Sequence, residues 1–331
     1  MLKLKENIFL NIKDEWVFLF SGQGSPSLGM GANVRDISIN TSRVWDCASD
    51  ISGIDIRKLC IKGPMSKLIQ TRYQQLAVTT INIATLTLLR EKFSINEQGY
   101  SGHSAGEYSA LYAAGVMDME TLFKAIDKRS IIMQSLAREK KGAMYVVKKY
   151  SYNKLWELIE YLGLTPFVNI CCDNSNNQQV IGGRLEEVKV LVNYLLLNHI
   201  EVIKLSVNGA WHSELMRDGK RPLREYLEKL DFAKPKKTII MNVSALNISN
   251  KIDIKNQLIN QLTDTVKWQD TIKEWVKIGH GNFLEVGSKK TLLPLIDEIF
   301  PNNNFNKRYT SEFIWYLLML VILGSEHVTK L

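Results

Sequence analysis

The chain has 331 residues, of which 45% are hydrophobic and 23% charged, so it can bury a large core and has no long polar segment of the kind typical of disorder. Lysine and arginine outnumber aspartate and glutamate by 42 to 34, a formal charge of +8 that favours acidic partners. Nucleic acid is not indicated, because the basic residues are scattered in short runs and no zinc-finger or RNA-binding signature is present.

The cysteines and the two ends of the chain indicate the cellular compartment in which we expect the protein. Four cysteines stand at positions 47, 60, 171 and 172, without metal-ligand spacing, so we expect neither a zinc site nor a disulfide framework and infer a reducing, cytoplasmic environment. Charged residues interrupt the start of the chain, which argues against a secretory signal peptide. The apolar run at 313–323 (FIWYLLMLVIL) is too short to span a bilayer and predicts a packed terminal helix or strand, with a membrane-surface or partner contact as the alternative.

The first predicted elements are a strand, a loop and a helix. The apolar run WVFLF at residues 16–20 predicts a buried strand, and the glycine-punctuated loop SGQGS follows it. Residues 72–93 (RYQQLAVTTINIATLTLLREKF) have the length and apolar spacing of a buried helix.

The next segment, GHSAG at residues 102–106, matches the G-x-S-x-G pattern of a strand-to-helix turn. Gly102 and Gly106 lack the β-carbons that would collide in such a turn, so the hydroxyl of Ser104 can stand exposed as a nucleophile. Glu107 then lies in the first turn of a helix, where the helix dipole favours a negative charge. An ordinary turn serine remains the alternative, because a pattern with three fixed positions also occurs by chance.

A second helix completes the first α/β unit. Residues 121–140 (TLFKAIDKRSIIMQSLAREK) predict an amphipathic helix, in which periodicity alone makes Arg129 a solvated residue. Strand, helix, elbow and helix in this order predict an α/β sheet with covering helices.

From about residue 142 the pattern changes to a small domain of its own. The predicted order is β-α-β-β-α-β, the ferredoxin-like order, complete in under seventy residues. Its segments are GAMYVVKK (142–149), SYNKLWELIEYLGL (151–164), TPFVNICC (165–172), QQVIGG (178–183), LEEVKVLVNYLLLNHI (185–200) and EVIKLSV (201–207). We therefore predict that a small domain is inserted into the larger one.

The remaining segments predict a return to the large domain. A strand at 237–246, a continuous helical stretch at 254–279 and a strand at 282–287 would complete its sheet. The predicted division is a large domain over 1–140 and 208–331 and an inserted domain over 141–207.

A serine nucleophile needs a base, and five histidines are available. His103 adjoins the serine, but successive side chains point apart there, so packing or structural hydrogen bonding is the better interpretation. Three others lie at a helix end, in a Gly-His-Gly turn and near the C-terminus, at positions 199, 280 and 327. His212, where the chain re-enters the large domain, is a slight favourite, because such connections form active-site walls.

Several motifs in order resemble the malonyl-CoA:acyl carrier protein transacylase family, which includes the acyltransferase domains of polyketide and fatty acid synthases. They are FSGQGSPSLGMG (20–31), GHSAGEYSALYAAGVMD (102–118), KRSIIMQSLAREKKGAM (128–144), VNGAWHSELM (207–216), LINQLTDTVKW (258–268) and FLEVGSKKTLLPLI (283–296). The resemblance spans about residues 15–297 and implies an α/β-hydrolase-like large domain with an inserted ferredoxin-like small domain, in agreement with the order above.

The resemblance implies a role for each matching residue. Ser104 would attack an acyl thioester with His212 as its base, and the backbone N–H groups of Gln23 and Ala105 would form the oxyanion hole. No aspartate would complete the triad, because a carbonyl at Gln261 would orient the imidazole; a surface helix residue is the alternative reading of that position.

The same resemblance bears on the acyl group. The family's matching arginine grips the free carboxylate of malonyl, which makes Arg129 a carboxylate-binding residue rather than a solvated one. His103 and Trp211 would border the pocket. Trp211 replaces the commoner phenylalanine, which would narrow the pocket and favour malonyl over α-branched groups, or mark an unusual extender unit.

Ser21 and the run VGSKK also depart from the commonest family pattern, and residues 298–331 have no counterpart that we can place. The substrates implied are a coenzyme A thioester and the phosphopantetheine thiol of an acidic acyl carrier protein, with no bound metal or redox cofactor and a monomeric enzyme. An editing acyl hydrolase is the first alternative, which Arg129 disfavours because that position is commonly altered in such enzymes. A non-catalytic docking component is the second, which the presence of Ser104, His212, Gln23 and Arg129 disfavours.

Overall fold

A computed structural model of the chain describes residues 14–287, 289–301 and 307–310. The strands in these ranges are β1 (Glu15–Phe20), β2 (Asn96–Gly102), β3 (Gly142–Lys148), β4 (Val168–Ser175), β5 (Gln178–Arg184), β6 (Val202–Lys204), β7 (Thr238–Ile239), β8 (Asn282–Val286) and β9 (Lys307–Thr310). The helices are α1 (Ile39–Ser52), α2 (Ile56–Lys62), α3 (Met65–Leu68), α4 (Thr71–Lys92), α5 (Gly106–Ala113), α6 (Met119–Glu139), α7 (Tyr152–Tyr161), α8 (Leu185–Leu197), α9 (Lys220–Leu227), α10 (Lys251–Asn260), α11 (Trp268–Lys277) and α12 (Leu293–Ile299), with a 3-10 helix at Glu214–Gly219.

The large sheet is parallel, in the order β7-β2-β1-β8-β9. Its central strand β1 is buried from Trp16 to Phe20, as a continuous apolar run in a parallel sheet covered on both faces must be. Because β2 pairs with β1 as far as Gly102, the end of β2 delivers the elbow directly beside the loop that follows Phe20.

The small sheet is antiparallel, in the order β4-β5-β3-β6. Helices α7 and α8 pack against it around a hydrophobic cluster of their own, which includes Val147, Leu158, Ile181 and Leu191. The two sheets and this order of elements confirm the predicted fold class, an α/β large domain with an inserted ferredoxin-like domain. The residue boundaries of the two domains stay predictions.

The two long predicted helices are present as α4 and α6. Asp118 caps the first turn of α6 through its side chain, which accepts the N–H of Thr121 at 2.7 Å. Arg129 does not lie on the solvated face of α6, as periodicity alone predicts, but is 1% exposed. Tertiary packing against α4 and α5 places this charged residue in the interior.

The predicted continuous helix at 254–279 is wrong, since α10 ends at Asn260 and α11 begins at Trp268. The backbone between α10 and α11 pairs with β4 at Val266. The N–H of Val266 donates to Cys171 O at 2.9 Å, and the N–H of Asp173 donates to Val266 O at 3.0 Å. These bonds to the small domain outweigh the local helical pattern.

The predicted strand at 237–246 pairs with β2 only at Thr238–Ile239, because the chain then turns back: Ile240 forms an isolated antiparallel bridge with Asn247, and the N–H of Ala245 donates to Met241 O. Strand β9 at the far edge of the large sheet was not predicted. The predicted C-terminal element at 313–323 lies outside the described residues.

Within the described ranges, no helix is long and apolar enough to cross a membrane. In the same residues, no group of three or more histidine, cysteine or acidic side chains is placed to hold a metal ion.

Candidate active site

Ser104 lies at the tip of a sharp turn between β2 and α5, with its backbone in the left-handed region at φ +53°. The turn has no room for side chains at its two glycines. A β-carbon on Gly102 would lie 2.0 Å from the backbone of Gly106, and one on Gly106 would lie 2.1 Å from Phe20 O. The predicted strand-to-helix elbow is therefore present, with glycine required at both positions.

His212 is brought to Ser104 across more than a hundred residues of sequence. Its Nε2 lies 2.8 Å from the Ser104 Oγ, and its side chain is buried. The pKa of His212 is lowered to about 3, first by burial and then by the nearby charge of Arg129. A neutral imidazole at this distance can accept the hydroxyl proton of Ser104.

The backbone carbonyl of Gln261 fixes the orientation of this imidazole. Its oxygen lies 2.5 Å from Nδ1 of His212. A carbonyl can only accept a hydrogen bond, so Nδ1 carries the proton and the lone pair of Nε2 faces Ser104. This carbonyl is available because α10 ends one residue earlier, at Asn260. Gln261 is thus fully buried rather than on a surface helix face.

The side chain of Arg129, on α6, contacts both Ser104 and Gln261. Its Nη2 donates to Ser104 Oγ at 3.1 Å and to the Gln261 Oε1 at 2.9 Å, and its Nη1 donates to the Oε1 of Gln75. Each of these three acceptors is a neutral oxygen. The guanidinium also lies 5.6 Å from the ring centroid of Tyr108. A buried cation whose hydrogen-bond acceptors are neutral oxygens is suited to receive a carboxylate from a ligand.

Asn242, Glu107 and Gln261 form a polar cluster beneath the elbow that was not predicted from the sequence. Asn242 accepts the N–H of Ser104 at 2.8 Å through its Oδ1, and it donates to Gly102 O at 2.7 Å through its Nδ2. Glu107 accepts the N–H of Asn242 at 2.5 Å and the Nε2 of Gln261 at 2.6 Å. An asparagine inside the apolar run TIIMNV was the available signal, since a buried amide needs partners.

Glu107 lies in the first turn of α5, as predicted, and its side chain is fully buried. Burial raises the pKa of Glu107 to about 8, while the N–H of Asn242, the charge of Arg129 and the amide of Gln261 act in the opposite direction. The carboxyl group thus joins the elbow to the segment that carries the histidine-orienting carbonyl.

The loop after β1 lies against the elbow. A β-carbon on Gly22 would lie 2.3 Å from His103 O and 3.3 Å from the Ala105 N. This contact brings the segments of Gln23 and Ala105 together, and within the described chain neither backbone N–H has a hydrogen-bond partner. Two unbonded backbone donors on neighbouring segments are what an oxyanion hole requires.

The two predicted pocket residues have different surroundings. His103 forms a hydrogen bond to Asn174 of the small domain, with Nε2 2.8 Å from Oδ1, and its ring meets Trp268 edge-on. Burial lowers the pKa of His103. Trp211 is buried against Gly209, where a β-carbon would lie 2.6 Å from its ring. These contacts do not test the predicted effect of Trp211 on acyl-group size, which stays a prediction.

The fold and this arrangement define a class: α/β acyl-transfer proteins with a serine at the elbow and a carbonyl-oriented histidine. The acyl transferase domain family matches residues 17–307 of the chain. The chain therefore belongs to the acyl transferase domain family, as its motifs predicted.

Known members of the family give the comparison detail. The chain is 31% identical over 285 residues to the polyketide biosynthesis malonyl CoA-acyl carrier protein transacylase PksC of Bacillus subtilis, covering 85% of this chain and 96% of that protein. It is similar to the crystal structure of malonyl-CoA:acyl carrier protein transacylase from Xanthomonas oryzae, with a TM-score of 0.84, 29% identity and coverage of 89% and 93%. It is also similar to PlMCAT, solved in complex with the type II PKS acyl-carrier protein AntF, with a TM-score of 0.84, 28% identity and coverage of 90% and 96%.

Proposed function

We propose that the protein is a malonyl-CoA:acyl carrier protein transacylase, which moves a malonyl group from coenzyme A to the phosphopantetheine thiol of an acyl carrier protein. The observation that carries this proposal is the position of Arg129, whose guanidinium lies 3.1 Å from Ser104 Oγ. In a malonyl thioester only one methylene separates the carboxylate from the thioester carbonyl. A cation this close to the attacking oxygen therefore suits malonyl and offers nothing to an acetyl or fatty acyl group.

In the first half-reaction, the Oγ of Ser104 attacks the thioester carbonyl carbon while Nε2 of His212 takes its proton. The negative charge that develops on the carbonyl oxygen faces the N–H groups of Gln23 and Ala105. The carbon–sulfur bond then breaks, and the coenzyme A thiolate leaves with the proton from the imidazolium. A malonyl ester on Ser104 remains.

In the second half-reaction, His212 takes the proton of the phosphopantetheine thiol, and the sulfur attacks the ester carbonyl. The Ser104 oxygen leaves and regains its proton from the imidazolium. The low pKa of His212 supports both halves, because the imidazole is unprotonated at neutral pH whenever a proton must be accepted.

The formal charge of +8 supports an acidic carrier protein as the partner, through attraction between opposite surface charges. One similar protein is named as a polyketide biosynthesis transacylase and another was solved with a type II PKS acyl-carrier protein, and we assign this chain to that same class of acceptor. We propose a monomeric enzyme that binds no metal or redox cofactor.

The test is intact-protein mass spectrometry after mixing with a panel of acyl-CoAs, followed by holo acyl carrier protein, with Ser104→Ala as control. We expect loading from malonyl-CoA, no loading of the variant, and discharge onto the carrier. If no coenzyme A thioester loads the protein and pre-charged carrier protein loses its acyl group instead, the protein is an editing hydrolase and the transacylase proposal is wrong.

A further inference from the structure

A chain of hydrogen bonds, buried at Arg129 and partly buried at Gln23, runs from Arg129 to the loop proposed to form the oxyanion hole. Nη1 of Arg129 donates to Oε1 of Gln75, Nε2 of Gln75 donates to Thr71 Oγ1 at 2.8 Å, and the hydroxyl of Thr71 donates to Oε1 of Gln23 at 2.6 Å. Thr71 and Gln75 are one turn apart on α4, so their side chains stack on one face of the helix. We call these four residues the Gln75 relay.

The direction of the relay follows from its arginine. A guanidinium has no acceptor, so Gln75 must turn its amide oxygen toward Arg129 and its NH₂ group toward Thr71. The Thr71 oxygen then accepts, which leaves its hydroxyl hydrogen to donate to Gln23. Each donor therefore faces the next acceptor without a break, and the relay joins the guanidinium to the side chain of Gln23.

Gln75 is also a tight constraint on the guanidinium. Its side chain is fully buried, and together with Gln261 it gives Arg129 two amide oxygens as acceptors. Because Gln75 and Gln261 are neutral, they orient the guanidinium without neutralising its charge. A carboxylate in place of either amide would compete with the acyl carboxylate.

We propose that Gln75 is a specificity-determining positioning residue: it orients Arg129 toward the carboxylate of the acyl group and links that orientation, through Thr71, to the loop of Gln23. This inference rests on the proposed function of Arg129 in malonyl binding. It adds a residue on α4, outside the motifs around the nucleophile, the base and the arginine.

The test compares kcat and KM for loading from malonyl-CoA and from acetyl-CoA in three variants of the full chain. Gln75→Glu places a carboxylate against Arg129, so kcat/KM for malonyl-CoA should fall about 10²-fold while that for acetyl-CoA changes by less than about threefold. Gln75→Met keeps the length of the side chain but no acceptor, and should lower the ratio of malonyl to acetyl loading about tenfold, mainly through KM.

The third variant separates the two ends of the relay. Thr71→Val leaves the contact between Gln75 and Arg129 in place but breaks the link to Gln23. Because the oxyanion loop serves both donors, kcat should fall about tenfold for malonyl and acetyl alike, with KM unchanged. Thr80→Val is the matched control, since that buried hydroxyl on α4 bonds to Leu76 O within the helix and should leave both donors unaffected.

The outcomes distinguish this inference from the proposed function. If the wild-type chain loads malonyl and the two Gln75 variants keep its ratio of malonyl to acetyl loading, Gln75 is only a packing residue and this inference alone is wrong. If the wild-type chain accepts no malonyl from malonyl-CoA, the proposed function and this inference both fall. Acetyl loading reports a folded site in the two Gln75 variants, so a loss of malonyl loading alone in them cannot come from misfolding.

Discussion

Nδ1 of His212 lies 2.5 Å from the backbone carbonyl oxygen of Gln261. This one contact replaces the carboxylate that orients histidine in a serine-histidine-aspartate triad. A neutral carbonyl stabilises an imidazolium less than a carboxylate does, and the imidazole here is also buried beside the charge of Arg129. The proposed base is consequently a weak one that is unprotonated near neutral pH, and the backbone carbonyl of Gln261 holds it in a single tautomer.

The pH dependence of loading should reflect the low pKa of His212. An ordinary histidine is half protonated near pH 6.5, whereas burial and Arg129 lower the pKa of His212 to about 3. Activity requires the neutral form, so it is retained above that pKa and lost only as the pH falls toward it. We expect a constant kcat/KM for loading of Ser104 between about pH 7 and pH 5, a range that lies below the pKa of about 8 of the neighbouring Glu107. A malonyl thioester of N-acetylcysteamine, which carries no phosphate, is the donor to use, and a fall centred near pH 6.5 would contradict the prediction.

Removal of the guanidinium should change acyl preference more than it changes turnover. Arg129→Ala takes away the cation 3.1 Å from Ser104 Oγ. We expect kcat/KM for malonyl-CoA to fall at least about 10²-fold, and acetyl-CoA to become the better donor. Arg138→Ala, an exposed change on the same helix with the same effect on net charge, is the control. An equal loss for both donors would mean that Arg129 supports the serine and does not bind a carboxylate.

Loss of the Asn242 side chain should lower both the stability of the protein and its loading rate, since this side chain bonds to Gly102 and Ser104 in the elbow. Asn242→Ala leaves the N–H of Ser104 and the carbonyl of Gly102 buried without these partners. We expect a loss of about 2–4 kcal/mol in the free energy of unfolding and slower loading from malonyl-CoA and acetyl-CoA alike. Urea unfolding and loading assays measure the two effects. Asn247→Ala, at an exposed asparagine of the same segment, should change neither.

The elbow glycine should be irreplaceable for steric reasons. In Gly102→Ala the new β-carbon would lie 2.0 Å from backbone atoms of Gly106, which cannot move without displacing α5. We expect a loss of at least about 3 kcal/mol of stability by thermal or urea unfolding. Gly24→Ala is the comparison, because nothing lies within 4 Å of its β-carbon. Equal stability of the two variants would mean that the turn can open.

Local patterns in the sequence carried much of this structure. The apolar run at 16–20, the long helices at 72–93 and 121–140 and the small domain's order of elements could be predicted, because each depends on periodicity within a few turns. The elbow could be predicted because glycine at two fixed positions is a steric demand that the sequence itself displays.

The contacts that make a site of these residues depended on the tertiary structure. The burial of Arg129, the end of α10 at Asn260 and the partners of Asn242, Glu107 and Gln75 all arise where separate segments meet. The hydrophobic periodicity of a sequence indicates which residues lie in the interior. The partner of a buried polar group depends instead on how segments distant in the sequence pack together, which local periodicity does not show. The sequence by itself determined the fold class and the candidate nucleophile and base. Only the tertiary structure decided that the backbone carbonyl of Gln261 orients His212 and that neutral amides orient Arg129. Both arrangements require atoms more than forty residues apart in the sequence to come within hydrogen-bond distance.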